Sequence, residues 1–216
     1  MVHQLGLDGQ QAGDGLGRVE RGTAADAGSL SDDSVYTLFA DAHGTLWVGT
    51  DAGLNRLDSE SGSFDLYRHD PLDETSLSSD QVRTIYEDSS GTMWIGTASG
   101  GLNRFDVHAG TFAAYRHDGE NPLSLSDDDI RQLQAEEQDE LVVVVTDGLN
   151  LLDRASGAVD RYLHDAANPR SLSDNYVNSM FQDRSGLLWV GTRAGGLNKW
   201  NPRTWSFGHL TVDSSD

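Results

Sequence analysis

The sequence predicts an all-β fold, a β-propeller of four four-stranded antiparallel blades, on three observations. First, the tripeptide Ser-Leu-Ser recurs at spacings of 47, 48 and 47 residues, starting at residues 29, 76, 124 and 171. Second, each unit contains short apolar runs separated by turn residues, as in a four-stranded meander. Third, helical periodicity is not sustained over any window of about 11 residues. Radial stacking of such sheets forms a propeller, here either partial and open or small and closed.

The repeat divides the chain into four blades of about 47 residues with short flanking segments. Residues 1–28 are Gly-rich, and we interpret them as the remnant of a preceding blade or as a disordered lead. Residues 213–216 form a tail. The blades are predicted at 29–75, 76–123, 124–170 and 171–212.

The first blade illustrates how the strands are bounded. Residues that tolerate positive φ or form tight hairpins occur at Ala42-His43-Gly44, Asp51-Ala52-Gly53 and Ser61-Gly62. These turns separate four predicted strands, which are Val35–Asp41, Thr45–Thr50, Leu54–Asp58 and Phe64–His69.

Each well-formed blade carries an aspartate three residues before a glycine and six before a tryptophan, as at Asp41, Gly44 and Trp47. We expect the carboxylate to accept backbone N–H hydrogen bonds of the hairpin turn and the glycine to be left-handed. The tryptophan should act as a wedge between blades. The equivalent residues are Asp88, Gly91, Trp94, Asp183, Gly186 and Trp189.

The third blade departs from this signature at several positions and is degenerate. Glu136, Asp139 and Val142 replace the aspartate, glycine and tryptophan, and Val144-Val145 replaces a Gly-Thr pair. A run of four valines still predicts a buried strand, so the blade should persist with a different turn. We expect its interface to be the least tightly packed, and Val142→Trp to be neutral or stabilising.

Composition and charge exclude several classes of partner. The formal net charge is −20, from 35 acidic and 15 basic residues, and Lys199 is the single lysine. Such a surface repels nucleic acid and anionic membranes, so neither is expected as a partner. The absence of cysteine excludes disulfides and thiolate metal sites. No stretch resembles a signal peptide or a membrane span, so no membrane insertion is expected.

Catalytic, metal and cofactor sites are not expected. His69, His117 and His164 recur once per blade, so we interpret them as structural. The acidic clusters at 32–33 and 127–129 follow Ser-Leu-Ser segments, and one member of each recurs in the other blades and is interpreted as a turn cap. No calcium-loop motif is present, so a metal site is not expected there. The sequence has no Gly-x-Ser-x-Gly motif, phosphate loop or paired-histidine zinc motif. The chain is therefore predicted not to be an enzyme.

Ligand specificity should reside where equivalent residues of the blades differ, because shared residues serve the blade. In propellers the first strand of each blade lies nearest the central channel, and its second residue varies here, as does the loop between the second and third strands. The candidate ligand contacts are Tyr36, Arg83, Arg131, Asn178, Asp51, Ser99, Asp147 and Arg193. Arg83 and Arg131 together are suited to grip a carboxylate, so Arg83→Ala is predicted to weaken binding of an acidic oligosaccharide.

A longer pattern joins these residues: Asp-x-x-Gly-x-x-Trp-Val/Ile-Gly-Thr, Gly-Leu-Asn, Tyr-Arg-His-Asp and Ser-Leu-Ser, as in Asp88–Thr97, Gly101–Asn103, Tyr115–Asp118 and Ser124–Ser126. It resembles the two-component regulator propeller repeat, over about residues 29–200 and in three of four copies. That repeat occurs in the extracytoplasmic sensor part of bacterial hybrid histidine kinases and some diguanylate cyclases. The resemblance implies seven-bladed propellers, usually in tandem, then an immunoglobulin-like domain, a membrane span and an output module.

The resemblance implies a periplasmic or extracytoplasmic ligand-sensing module for signal transduction, whose cue is an oligosaccharide or another small polar ligand. No output module is recognised in the present sequence. Two alternatives stay open, a propeller lyase or hydrolase acting on a secreted substrate and a protein-interaction scaffold. Four blades would also expose apolar end faces, which favours a homo-oligomer or further blades of a parent chain. Two copies would complete an eight-bladed ring.

Overall fold

The computed structural model describes residues 28–135, 140–201 and 206–210. Every regular element in these ranges is a β-strand, and the strands form four sheets of four, here called blades 1 to 4. Blades 1 and 2 contain β1 (Val35–Ala40), β2 (Leu46–Thr50), β3 (Gly53–Leu57), β4 (Phe64–Tyr67), β5 (Val82–Glu87), β6 (Met93–Thr97), β7 (Leu102–Asp106) and β8 (Thr111–Tyr115). Blades 3 and 4 contain β9 (Ile130–Ala135), β10 (Glu140–Val145), β11 (Gly148–Asp153), β12 (Val159–Tyr162), β13 (Val177–Gln182), β14 (Leu188–Thr192), β15 (Leu197–Asn201) and β16 (Ser206–Leu210).

Each blade is an antiparallel meander in which strands that follow one another along the chain also pair. The first strands of the blades, β1, β5, β9 and β13, lie beside one another from blade to blade. The prediction of an all-β propeller with four four-stranded blades is confirmed, and the arc of blades is open. Within the described ranges the chain has no helix that is able to span a bilayer. Residues 1–27, Glu136, Asp139 and the tail at 213–216 lie outside the described residues.

The turn between the first two strands of a blade is built as predicted from its aspartate and glycine. In blade 1 one carboxylate oxygen of Asp41 accepts hydrogen bonds from the backbone N–H groups of His43 and Thr45, at 3.0 and 2.8 Å. Gly44 has a φ of 83°, in the left-handed region. The second carboxylate oxygen accepts a hydrogen bond from the indole of Trp47 at 2.9 Å, so the turn also orients the wedge.

A buried asparagine in the third strand of each blade joins the Ser-Leu-Ser segment to the sheet. The amide oxygen of Asn55 accepts a hydrogen bond from the backbone N–H of Ser31, and its amide nitrogen donates to the Ser31 hydroxyl. Because Asn55 has no exposed surface, these bonds replace all contact with water. The equivalent pairs are Asn103 with Ser78, Asn150 with Ser126 and Asn198 with Ser173.

Trp47 forms the wedge between blades 1 and 2. Its side chain is fully buried, and its ring centroid lies 5.7 Å from that of Phe105 in an edge contact. Beside it, Gly49 lets the next blade approach closely, since a Cβ at this position would lie 2.6 Å from Val82. The tryptophan and the glycine of one blade therefore shape the surface that receives the next.

Blade 3 meets blade 4 in a different way. Val142 occupies the tryptophan position, and Trp200 supplies the bulk from the other side of the interface; both side chains are fully buried in one apolar cluster. Val144 takes the position that glycine has in blades 1 and 2, and β9 and β13 approach each other less than β1 and β5 do. Gln132 bridges these two strands, since its side chain donates to the carbonyl of Met180 and accepts from its N–H, each at 2.8 Å.

The expectation for Val142→Trp is revised by this arrangement. Trp200 packs in one buried cluster with Val142, so we expect a second indole at position 142 to crowd this interface. Overpacking of a filled core destabilises a protein. The third interface is thus wider between backbones than the first, but side chains fill it.

Candidate ligand-binding rim

The second residue of each innermost strand lies in a β-bulge at the same end of its blade. In blade 1 the register shifts between Val35 and Thr37, so Tyr36 has no partner of its own on β2. The same shift falls at Arg83, Arg131 and Asn178. A bulge re-aims the side chain of its extra residue and is frequent beside functional sites. We call this edge, formed by the four bulges and the loops between second and third strands, the rim.

Where blade 1 meets blade 2, the rim contains an arginine stacked on a tyrosine. The Tyr36 hydroxyl donates to Oδ2 of Asp51 at 3.0 Å, which holds the ring in place. The guanidinium carbon of Arg83 lies 3.9 Å from the centroid of that ring. Gln81 of blade 2 donates to Oδ1 of Asp51 at 3.2 Å. Asp51 therefore positions Tyr36 and links two blades, and it forms no ion pair with Arg83.

Where blade 3 meets blade 4, one tyrosine contacts two arginines. The guanidinium carbons of Arg131 and Arg193 lie 4.8 and 5.2 Å from the ring centroid of Tyr176. Arg131 also donates to the Tyr176 hydroxyl at 2.9 Å and forms a salt bridge with Asp129 at 3.2 Å. Its Nε donates to the hydroxyl of Thr146 at 3.2 Å. Arg131 is anchored by these contacts, whereas Arg193 rests on the ring.

The remaining three candidates make few side-chain contacts. The hydroxyl of Ser99 lies 3.1 Å from that of Ser79. Asp147 contributes its backbone carbonyl, which accepts a hydrogen bond from Ser126 at 2.6 Å. Asn178 is exposed at its bulge. The rim thus holds all eight candidates.

The structure joins five of the eight in two clusters. Tyr36 and Asp51 lie with Arg83 at the first boundary, and Arg131 meets Arg193 through Tyr176 at the third. Among the described residues no contact brings Arg83 to Arg131. Arg131 is bound instead to Asp129, Thr146 and Tyr176, and a joint grip of Arg83 and Arg131 on one carboxylate stays a prediction.

Sequence reasoning missed the residues that fasten these clusters. Gln81, Asp129 and Tyr176 share one position, two residues before the bulge, where blade 1 has Ser34. The residue type at this position differs in every blade. The criterion that selected the eight candidates, variation between equivalent positions, would have found these residues if it had been applied two residues earlier.

The repeated histidines serve the crossing from one blade to the next, as predicted. Nδ1 of His69 donates to the carbonyl oxygen of Leu77 at 2.8 Å, and the backbone N–H of His69 donates to Asp80 at 2.7 Å. The same contacts recur at His117 with Leu125 and Asp128, and at His164 with Leu172 and Asn175. These imidazoles are therefore spread over three crossings, and no two share a site.

One member of each acidic cluster is a turn cap, as the sequence suggested. Asp32 accepts a hydrogen bond from the backbone N–H of Ser34 at 2.7 Å, which lowers the pKa of Asp32. Asp127 caps the N–H of Asp129 in the same way at 2.7 Å. In the part of the chain that the structure describes, no group of three or more histidine or acidic side chains is arranged to hold a metal ion.

One turn aspartate fastens two blades at the end opposite the rim. Asp88 is buried and accepts hydrogen bonds from Ser90, Trp94 and Arg154, the last of which belongs to blade 3. Burial acts to raise the pKa of Asp88, but the three donors outweigh it and lower the pKa to about 2. Asp88 is therefore ionised at neutral pH and pairs with Arg154 across the boundary of blades 2 and 3.

Segments of three blades match a known repeat family. The family described as two-component regulator propeller matches residues 29–52, 76–99 and 171–194. Each matched range runs from a Ser-Leu-Ser segment through an Asp-Gly-Trp signature. The degenerate blade 3 is the unit outside these ranges.

Solved structures that share the fold include extracellular domains of bacterial proteins. One belongs to a protein described as the hybrid two-component system BT3049 from B. thetaiotaomicron, with a TM-score of 0.73 and 22% identity over 87% of this chain and 25% of that one. Another belongs to BT4673 of the same organism, with a TM-score of 0.71 and 23% identity over 90% of this chain and 26% of that one. The chain spans about a quarter of the length of these structures. At such identities the likeness shows the fold.

A protein described as a gluconolactonase also shares the fold, with a TM-score of 0.54 and 13% identity over 82% of this chain and 64% of that one. The fold is therefore shared by proteins with unrelated descriptions and does not choose between functions. Curated proteins gave no match to the chain. The residues of the rim, rather than the fold, must support a functional conclusion.

Proposed function

We propose that this chain, three of whose blades contain segments that match the two-component regulator propeller family, is a ligand-binding module of a bacterial extracytoplasmic sensor and not an enzyme. Two of the solved structures that resemble it are extracellular domains of proteins described as two-component systems. That likeness supports a position outside the cytoplasm and a role in signal recognition. The rim is the proposed binding surface.

The observation that carries the proposal is that two arginines at the rim are held on tyrosine rings while their N–H groups stay available. Arg83 and Arg193 each stack on a tyrosine ring, and neither makes an ion pair or a hydrogen bond through its side chain within the described ranges. The chain has 35 acidic residues against 15 basic ones, so pairing would be easy to achieve. Two guanidinium groups held in place with their N–H groups uncommitted are suited to an anion.

The tyrosines fix how these arginines are presented. The Tyr36 ring is held by its hydrogen bond to Asp51, and the face of the ring attracts the guanidinium of Arg83. Stacking uses the flat face of the guanidinium and leaves its edge free for forked hydrogen bonds to a carboxylate. Arg193 lies farther from its ring, 5.2 Å from the centroid of Tyr176, whose hydroxyl is held by Arg131. The proposed ligand is therefore a small polar molecule that carries a carboxylate, such as an acidic oligosaccharide.

A calorimetric titration tests this proposal with a matched pair of ligands and a matched pair of variants. The protein is titrated with uronic-acid oligosaccharides and with neutral oligosaccharides of the same length. We expect binding of the acidic series, weakening with added salt, and a loss of about tenfold or more for Arg83→Ala, because a charge-assisted hydrogen bond contributes about 1.5–3 kcal/mol. Arg184→Ala removes an exposed arginine at the opposite end of blade 4 and should leave the affinity unchanged.

The same titrations contain the results that would refute the proposal. Equal affinity of the Arg83→Ala variant would remove Arg83 from the site, and equal affinity of Arg193→Ala as well would exclude the proposed binding mode. Product formation from any oligosaccharide, followed by chromatography of the titrated mixture, would instead assign the chain to the propeller lyases or hydrolases.

A further inference from the structure

The segments that lead from one blade to the next run along the outermost strand of the following blade. We call them crossings 1, 2 and 3, and they comprise residues 69–78, 117–126 and 164–173. One backbone hydrogen bond of the same kind fixes each crossing against its strand, from an N–H near the start of the strand to a carbonyl of the crossing. These bonds join Phe112 to Thr75, Val159 to Leu123 and Phe207 to Arg170, at 2.7, 2.9 and 3.1 Å. Equivalent residues of the three crossings can therefore be compared directly.

At crossing 2 an arginine fills the space between the crossing and β12. Nε of Arg161 donates to the carbonyl oxygen of Ser124 at 2.7 Å. Its Nη2 donates to the carbonyl oxygen of Asn121 at 2.9 Å and to the hydroxyl of Ser124 at 2.7 Å. One guanidinium fork thus binds crossing 2 through three hydrogen bonds.

At crossing 3 a histidine has the same role. Nε2 of His209 donates to the carbonyl oxygen of Ser171, the equivalent of Ser124, at 2.7 Å. The position is the same in each blade, because it lies opposite the buried asparagine of the third strand. The pairs are Ala114 opposite Asn103, Arg161 opposite Asn150 and His209 opposite Asn198.

At crossing 1 this donor is missing, because Ala114 occupies its position. Within the described ranges no group donates to the carbonyl oxygen of Ser76, and that of Asp73 accepts only the N–H of Ser76, at 3.0 Å. At the place equivalent to that of the Arg161 side chain lies an open cleft of about 320 Å³, which Asp73, Ser76 and Ala114 help to line. The two carbonyls that bind a guanidinium in crossing 2 are thus available to a ligand in crossing 1.

The sequence of crossing 1 also adds negative charge where the cation is missing. Asp73-Glu74 stands where crossings 2 and 3 have the neutral pairs Asn121-Pro122 and Asn168-Pro169. The hydroxyl and the N–H of Thr75 donate to the Asp73 carboxylate at 2.7 and 2.9 Å, and both bonds lower the pKa of Asp73. This carboxylate is therefore ionised at neutral pH.

One basic side chain faces these acids across the cleft. Nη2 of Arg116 donates to the carbonyl oxygen of Ser78 at 3.2 Å, which directs it away from the carbonyls of Asp73 and Ser76. Three carboxylates line the cleft against this single guanidinium, and they belong to Asp70, Asp73 and Glu74. The cleft therefore keeps an excess of negative charge, which favours a cationic ligand.

We propose that the cleft at crossing 1 binds the guanidinium group of a ligand, in the place that Arg161 takes at crossing 2. The group donates to the carbonyl oxygens of Asp73 and Ser76, and the surrounding carboxylates balance its charge. A guanidinium presents its donors in a fixed planar fork, which suits two carbonyls better than an ammonium does. Clefts of about 300 Å³ and more hold small molecules, so an alkyl chain attached to the guanidinium also has room. The site shares no residue with the clusters of the rim and does not rest on the function proposed there.

A titration followed by NMR of the backbone amides tests this site with two probes of the same shape. The probes are butylguanidinium and the neutral butylurea. We expect butylguanidinium to shift the amides of residues 70–78 and 111–116 in a saturable manner. It should bind at least about tenfold more tightly than butylurea, because charge-assisted hydrogen bonds are roughly twice as strong as neutral ones.

A third probe distinguishes the two sources of a guanidinium group. It is a tripeptide with blocked ends and a central arginine. Tighter binding of the tripeptide than of butylguanidinium would identify the ligand as an arginine side chain of a peptide. Tighter binding of butylguanidinium would identify it as a small alkylguanidine.

Three variants locate the site. Ala114→Arg supplies a guanidinium from the chain itself, as Arg161 does in blade 3, and should abolish the shifts. Ala113→Arg adds the same charge to the opposite face of β8, at an exposed position, and is the matched control that should bind as the wild-type chain does. Arg161→Ala should open a second site, with new shifts at residues 118–126 and a lower affinity, since Asn121 is neutral.

Several results would overturn the proposal. Butylguanidinium could cause no saturable shifts, or butylurea could bind equally well. Retention of the shifts at crossing 1 in Ala114→Arg would place the binding elsewhere, and the absence of a second site in Arg161→Ala would contradict the equivalence of the crossings. Affinity for acidic oligosaccharides is measured in separate titrations, so failure at this cleft leaves the rim untouched.

Discussion

The interface of blades 1 and 2 and the interface of blades 3 and 4 place their indole on opposite sides. In the first, Trp47 of the leading blade packs on Phe105 of the following blade. In the other, Val142 of the leading blade packs in one cluster with Trp200 of the following blade. The difference teaches that the interface requires an indole-sized volume between two sheets, whichever sheet supplies it. The degenerate third unit is therefore compensated from the fourth.

The two interfaces also differ in how their backbones approach. Gly49 pairs with Thr37 in blade 1, whereas Val144 pairs with Gln132 in blade 3. The glycine admits Val82 of the next blade, while the valine keeps the next blade away and the longer glutamine reaches across to Met180. Where blade 3 has Val144 in place of glycine, the paired residue on the first strand is therefore the longer Gln132 in place of threonine.

The strongest test of the compensation is Trp200→Ala, which removes the one indole that the described residues place in the third interface. Trp200 is fully buried and stacks with Phe207 at a centroid distance of 5.9 Å. Truncation should lower the free energy of unfolding by about 3–5 kcal/mol because it leaves a large cavity. Urea denaturation measures this loss, and a loss below about 1 kcal/mol would show that Val142 needs no partner on the other side.

A second test moves the indole to the other side. Val142→Trp alone should lower the free energy of unfolding by about 1–3 kcal/mol through overpacking. Combined with Trp200→Leu, which recreates the arrangement of Trp94 against Leu152 in the second interface, the loss should be partly recovered. Additive losses in the double variant would contradict the view that total volume decides the packing.

The interface of blades 2 and 3 adds a comparison that depends on pH. The pKa of Asp88 is about 2 in the folded chain, below its ordinary value of 3.8. A depressed folded-state pKa contributes stability that is present above pH 4 and is lost as the pH falls towards 2, here about 2 kcal/mol. Asp88→Asn lacks this contribution. The free energies of unfolding of the wild-type protein and of this variant, plotted against pH, should therefore converge below pH 4. A constant difference in free energy of unfolding between the two proteins from pH 6 to pH 2 would refute the stabilising role of the ionised Asp88 carboxylate.

The smallest effect is expected at the bridging glutamine. Gln132→Ala removes two hydrogen bonds to the backbone of Met180, which should lower the free energy of unfolding by about 1–2 kcal/mol. Thr84→Ala changes the equivalent position of blade 2, which lacks such a bridge, and serves as the control. Equal losses in the two variants would show that the bridge does not hold blade 4.

The sequence alone located the rim but not its connections. Variation between equivalent positions pointed to the four bulge residues, because a repeat makes equivalent positions visible in one chain. It did not show that Arg131 is held by Tyr176, 45 residues further along, whereas Arg83 rests on Tyr36 of the preceding blade. Contacts between blades decide that Arg131 is anchored and that Arg83 is available to a ligand. Such contacts leave no pattern in the nearby sequence.

The sequence by itself determined the blades, their strands and their turns, since each depends on contacts within a few residues, such as Asp41 with Thr45 and Trp47. The tertiary structure decided how blades meet, because a side chain at an interface responds to volume contributed from about 50 residues away. It shows that the indole of the third interface comes from Trp200 and not from position 142. It also shows exposed apolar residues on the outer faces of blades 1 and 4. The fit between two blades depends on the side chains of both sheets, and these come together only after each sheet has formed.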